Sequence, residues 1–307
     1  FSHQLKYKNK IENYTIVIFK NNEVIMVLPF NIDYNNYLKI LRWSGFPFAD
    51  YNAPLLRNNI EINKVEFLFI WEKIISNNDF DCIFLDNQPE KIIDLNNPFF
   101  DFFKKKINNY YYSIKFKEKF EIKKKEFDNI KYQTNRLKKL GKLDFKIAKD
   151  KDEIKKVLNF IILNKSNQYD RTKAWNLLKI KSHKELFELC NLNLSENIDL
   201  SYLSLNNEII AAQSGYQYKK SYYYLFPAYN HKYRKFSPGK ILLQNMIINS
   251  KTNLFDYFDL TIGSENYKEN FSNYKMASAF FLYSKNLKGL IYTSFLRLKY
   301  FIKKILK

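Results

Sequence analysis

A mixed α/β fold in two domains is what this sequence predicts, and three observations carry the prediction. At 307 residues the chain is too long for one comfortable core and about right for two domains of ordinary size. Hydrophobic residues make up 46% of it and aromatic residues 18%, ample material for packed cores. Short β-branched and aromatic runs, separated by Asn-Asn or Lys-Lys turns, alternate with stretches whose apolar residues recur at helical spacing.

In the first half, residues 14–19 form a strand-like run, Asn21-Asn22 a turn, and residues 23–30 the return strand of a hairpin. Residues 38–43 lead into a Gly/Pro-punctuated loop, 44–51. Residues 62–76 place Val65, Leu68, Phe69, Trp71, Ile74 and Ile75 at helical spacing, and residues 81–85 read as a buried strand. Residues 1–122 are therefore expected to be one domain, with the first strand at a truncated edge. The chain opens at Phe1 without an initiator Met, which predicts a missing N-terminal piece.

Residues 123–142 are rich in lysine and end at a glycine stop signal, the natural joint between halves. Either a solvated linker helix or a helix holding an anionic substrate fits them. Residues 143–285 then read β-α-α-β-β-β-α-β-β, with strands over 143–148, 198–205, 208–217, 221–228, 255–261 and 277–283. Helices are expected over 150–167, around 183–190 and over 240–249. Residues 286–307 close the chain as a basic amphipathic helix, apolar along Leu287, Leu290, Ile291, Phe295, Leu298, Phe301, Ile302 and Ile305. Such a helix can lie on an anionic membrane or pack on its own domain.

The formal net charge is +20, yet only six of the 51 basic residues are arginine. A dedicated reader of bases or phosphates would hold more of the planar, bidentate guanidinium. The abundance of Asn, Ile, Phe, Tyr and Lys points to an AT-rich genome as a main source of the excess. What remains favours anionic partners such as CoA, nucleotide-sugars, tRNA or an acidic membrane face. Cys82 and Cys190 stand far apart, and His3, His183 and His231 form no ligand spacing, so no disulfide framework and no metal site is expected. No stretch approaches a membrane span, and the cytoplasm is the expected compartment, with peripheral contact at the inner face of the membrane through residues 287–307.

Two segments carry candidate chemistry. Phe236-Ser237-Pro238-Gly239-Lys240 leaves a strand and enters a helix: proline suits the first helical turn, glycine allows close approach, and the free amides suit a pyrophosphate. Residues 255–271 run an aromatic strand into Gly263 and a polar cluster. Asp259 sits inside that strand, where an unpaired carboxylate is costly, so it has a partner or a task, or it caps a neighbouring loop.

Together, in this order and one helix apart, the segments resemble the acetyltransferase domain of the CelD/BcsL branch of the GNAT superfamily, over residues 130–285. Arg136–Gly141 resembles the basic helix that opens that domain, and Ile209–Gly215 resembles its strand. The sequence departs from the pattern at Asn270-Phe271-Ser272, where the family commonly carries a tryptophan turn. The resemblance implies two tandem GNAT-like mixed-sheet domains, the first degenerate or truncated. It also implies acyl transfer, chiefly acetyl, from acetyl-CoA or another acyl-CoA to an amine of a sugar or envelope precursor, without a metal. Phe236, Ser237, Pro238, Gly239 and Lys240 would hold the CoA pyrophosphate. A backbone amide within 221–228 would polarise the thioester. Asp259 and then Glu265 would take the acceptor proton, and Tyr267 and Lys268 would position the acceptor or stabilise charge. Two alternatives stay open: a Fem-type transferase using aminoacyl-tRNA, and a non-catalytic GNAT-fold binding protein for which Asp259 and Glu265 are dispensable.

Overall fold

The computed structural model of the protein describes residues 11–305, apart from 36, 48, 59, 77–78, 93–94, 194–196 and 264. The first ten residues with His3, Phe48 of the loop, Ser264 of the second motif and residues 306–307, all part of the reading above, lie outside them. The chain divides into two compact units: residues 1–111 with 276–307, and residues 112–275.

In the first unit, β1 (Ile11–Lys20) and β2 (Glu23–Asn35) form the expected hairpin. Asn21 and Asn22 take φ of 51° and 62°, the left-handed pair that a two-residue hairpin turn requires. β3 (Leu38–Trp43) pairs antiparallel with β2, and the short β4 (Leu55–Leu56) adds to β2 as well. β5 (Cys82–Pro89) lies parallel to β3, while β6 (Lys91–Ile92) and β7 (Leu95–Asn96) form a separate ladder. The period-two rule splits β5 cleanly. Ile83 and Leu85 enter one core with Phe30, Trp43 and Phe99, which the helix Lys64–Ser76 covers through Phe67, Trp71 and Ile74. Cys82 and Phe84 enter the other core with Ile40, Phe280 and Leu296, covered by the helix Leu287–Ile305. Val65, Leu68 and Phe69 of the first helix are exposed, so its buried stripe is narrower than its apolar composition.

In the second unit the strand order is residues 112–115 of β8 (Lys106–Lys115), then β13 (Tyr257–Gly263), β12 (Ser221–Tyr229), β11 (Glu208–Tyr218), β10 (Ile198–Leu205) and β9 (Leu143–Ile147). β12 and β13 run parallel; β9 to β12 are antiparallel neighbours. Asn206-Asn207 makes the β10–β11 turn with φ of 48° and 66°. One core gathers Leu203, Tyr222, Phe258, Leu242 and Met246 beneath the helix Pro238–Thr252. The other gathers Leu200, Tyr202, Val157, Leu158 and Ile161 beneath the helix Lys151–Thr172, with Phe187 of Lys181–Asn193. Asp150 caps the longer helix, its Oδ1 accepting from the amides of Asp152 and Glu153.

The α/β class with mixed sheets is as expected. The division of the chain differs from the boundaries at 122, 142 and 285. The strand expected at 277–283, observed as β14 (Tyr274–Ser284), pairs antiparallel with β5 over Ser278–Ser284, and Phe281 fills the first unit's core. Residues 123–142 are no solvated linker: their helix, Lys124–Lys138, buries Ile130 and Leu137 in the second unit's core. The sequence carries no clear signal for β8, because Asn108-Asn109 interrupts its pattern.

Candidate functional site

The second unit opens a gap between two strands that begin as neighbours. β12 pairs with β13 only over Ser221, Tyr222 and Tyr223, against Tyr257, Phe258 and Asp259. Farther along, Ala212 and Ser214 of β11 face Ala228 and Leu225, so Phe226 and Pro227 together stand opposite Gln213. That is a β-bulge. Phe226 takes a φ of 34°, and Pro227 has no N–H to give to a ladder. β13 also breaks regular geometry: Thr261, a β-branched residue, adopts a φ of 59°. Asp259 supports that turn, its Oδ1 accepting from the Thr261 amide at 2.6 Å.

Where the pairing stops there is a cleft of about 180 Å³. Tyr224, Pro227, Ala228 and Tyr229 of β12 form one wall. Gly239, Lys240 and Leu243 bring in the start of the helix Pro238–Thr252, and Lys165 and Gln168 the helix Lys151–Thr172. Glu265 and Tyr267 line it from the segment after β13.

The helix start lacks a side-chain cap. Ser237 stands at the N-cap position in the left-handed region, φ 50° and ψ 47°, and its hydroxyl makes no capping bond. Pro238 occupies the first helical position. Pro238 has no N–H and the Lys240 and Ile241 amides donate to the Ser237 carbonyl, at 3.0 and 3.3 Å, so the Gly239 N–H and the positive end of the helix dipole are what this start offers an anion. A Cβ on Gly239 would meet only Tyr229 Cδ1, at 3.7 Å, so packing does not demand this glycine. Its absence of a side chain keeps the helix start bare where it faces the cleft. Lys232, Arg234 and Lys235 lie in the 3-10 turn His231–Phe236 just ahead of it. Burial, with Arg171 and Arg234 nearby, pushes the His231 ring below its usual range. Lys240 Nζ pairs with Glu126 Oε2 at 2.8 Å, tying the helix start to Lys124–Lys138.

Opposite, Glu265 is held from behind. Lys268 is buried, donates from Nζ to the Ile262 carbonyl at 2.7 Å and pairs with Glu265 Oε2 at 3.4 Å. The ammonium and that carboxylate occupy the space over Gly263, where any Cβ would collide with both. Two phenols complete the cleft. Burial drives the Tyr224 and Tyr267 hydroxyls well above the ordinary phenol range, helped by each other's side at Tyr224 and by Glu265 at Tyr267. Both are therefore protonated donors at neutral pH.

Of the residues singled out in the sequence, Gly239, Lys240, Glu265 and Tyr267 meet in the cleft. Asp259 is outside its lining and braces the Thr261 turn. Lys268 reaches the cleft only through Glu265. Phe236 is a core residue beneath the Arg136 guanidinium, 4.8 Å from its ring centre, and Pro238 is buried. Tyr224, Lys165, Gln168 and Glu126 are not singled out by the sequence. Tyr224 is one of three consecutive tyrosines, and Lys165, whose Nζ donates to the Pro227 carbonyl at 3.0 Å, is one lysine among 45 (51 basic residues less six arginines).

Residues 124–269 match the family model described as an acetyltransferase (GNAT) domain. No curated protein matches the chain in sequence. Among solved structures it is similar to FemX, at 11% identity over 94% of this chain and 92% of that one, with a TM-score of 0.61. It is also similar to the C-terminal domain of a putative lysylphosphatidylglycerol synthetase from Agrobacterium fabrum, at 10% identity, 91% and 86% coverage and a TM-score of 0.57. L-PGS from Bacillus licheniformis follows at 11%, 89% and 84%, and 0.56. At these identities the likeness is one of fold. Residues 124–269 thus match a GNAT acetyltransferase domain, and the chain shares its fold with these structures.

Proposed function

We propose that the cleft between β12 and β13 transfers an acyl group from a CoA thioester to an amine. The observation that carries this is the uncapped helix start at Gly239 opening onto the same cleft as Glu265 and Tyr267. The Gly239 amide and the positive end of the helix dipole suit the donor's pyrophosphate, with Arg234 and Lys235 supplying positive charge ahead of it. Backbone groups of β12 beyond Tyr223, which β13 does not pair, are placed to polarise the thioester carbonyl. Glu265, oriented by Lys268, receives the proton of the acceptor nitrogen, and the protonated Tyr267 returns one to the departing sulfur. Tyr224 stands in the same wall as a second donor.

The acceptor we propose is an amine on a sugar or envelope precursor, following the resemblance to the CelD/BcsL branch, with acetyl-CoA as the first donor to try. The whole-chain fold match to FemX favours one second reading, a Fem-type transferase whose donor is aminoacyl-tRNA.

Thiol release from acetyl-CoA across a panel of amino-sugar acceptors tests the assignment. Glu265→Gln is expected to lower the rate by about 10²–10⁴-fold, and Asp259→Asn to leave transfer within a few-fold of the parent. The opposite ranking would move the base to Asp259. No turnover with any acyl-CoA would remove the donor assignment and bring aminoacyl-tRNA forward.

A further inference from the structure

The helix Leu287–Ile305 buries one face and leaves a second, equally apolar face uncovered. Gly289, Thr293 and Leu296 are buried, and Tyr292 and Tyr300 pack around the core of Phe84 and Phe280. At about 100° per residue these five positions cluster on one side of the helix. On the opposite side Leu287, Ile291, Phe295, Leu298 and Ile302 form a stripe, with Leu290 and Phe301 along one edge. Exposure of 71% at Leu287, 66% at Ile291 and 61% at Phe295 shows that none of the described residues covers it. The stripe spans an arc of about 140° and a length of about 23 Å. Scattered exposed apolar residues need no explanation, but a continuous patch of this kind marks an interaction surface.

The charges on the helix decide what occupies it. Lys288 and Lys299 flank the stripe on one side and Arg297 on the other, and residues 287–307 contain no Asp or Glu. A second copy docked through this face would set cation against cation with no acid to pair. A convex helix bordered on both flanks by cations is the geometry of a segment lying in a lipid headgroup layer, apolar side down. No helix among the described residues is long and apolar enough to cross a membrane.

We infer that the outward face of Leu287–Ile305 is a docking surface for an anionic lipid bilayer, with Phe295 and Ile291 entering the acyl boundary and Lys288, Arg297 and Lys299 engaging lipid phosphates. This stands independently of the acyltransferase reading.

The test is flotation of the full chain with vesicles of phosphatidylcholine alone, or with roughly one phosphatidylglycerol in three. The protein is expected to float with the anionic vesicles at least about tenfold better than with neutral ones, and less so as salt rises. Ile291→Glu with Phe295→Glu should abolish flotation, and Lys288→Glu with Arg297→Glu should weaken it about tenfold or more. All four side chains are exposed, and unchanged circular dichroism will verify folding. Absence of flotation, or flotation that neither pair alters, overturns the proposal. So does a dimer in light scattering that the Ile291/Phe295 pair splits, which would assign the face to a second copy.

Discussion

Asp86 makes the stability of the first unit depend on pH in a way that its neighbours would not suggest. It is buried on β5, with Asn52 Nδ2 donating to its Oδ1 at 3.4 Å. Burial pushes its carboxyl up to about 6 from 3.8, although the nearby Arg42 guanidinium pulls the other way. A raised native value means that the folded state holds the proton more tightly than the unfolded chain. The stabilising contribution is therefore complete below pH 4 and is lost as pH rises through 6. A shift of about two units corresponds to about 3 kcal/mol by pH 8. Asp86→Asn mimics the protonated form at every pH. Urea unfolding followed by tryptophan fluorescence, to which the buried Trp43 and Trp71 of this unit contribute, should show parent and variant equally stable near pH 4. At pH 8 the variant should be the more stable by about 3 kcal/mol. A variant less stable than the parent at pH 8 would refute the reasoning, because attraction to Arg42 would then outweigh desolvation.

Two glycines of the second unit should respond in opposite ways. Gly215→Ala drives a methyl into the hydroxyl of Tyr222, which is fully buried and stacked on Phe258 at 5.3 Å, so unfolding free energy should fall by about 1–3 kcal/mol. Gly239→Ala meets only Tyr229 and should be neutral or gain up to about 1 kcal/mol, measured by the same urea titration. A destabilised Gly239→Ala would mean that this glycine serves packing rather than the cleft.

Much of the second unit could be read from the chain, because local rules decide it. The Asn-Asn turns fix two hairpins, and Val157, Leu158 and Ile161 recur at helical spacing on the helix that Asp150 caps. Partnership between distant segments was not legible. Nothing in residues 277–283 says that they pair with Cys82–Pro89 rather than with a strand of their own half, since either neighbour buries Phe280 and Phe281 equally well. The site divides along the same line. Gly239 and Lys240 announce themselves by the chemistry of a helix start, and Glu265 and Tyr267 by their place after a strand. Asp259 stands out in the sequence as an acid in an apolar strand, and its Oδ1 accepts from the Thr261 amide. The cleft itself follows from the Phe226-Pro227 bulge, a matter of register between β11 and β12 that composition does not reveal.

The proposed function requires an acyl-CoA to bind at the helix start beside Gly239. Isothermal calorimetry with acetyl-CoA, comparing the parent protein with Gly239→Trp at low and high salt, tests it most directly. Saturable binding by the parent is expected, weakened by salt and abolished by the substitution, whose indole would fill a cleft of about 180 Å³. Binding of equal strength to both proteins would place the donor elsewhere, and no binding of acetyl-CoA or longer acyl-CoAs to the parent would contradict the claim outright.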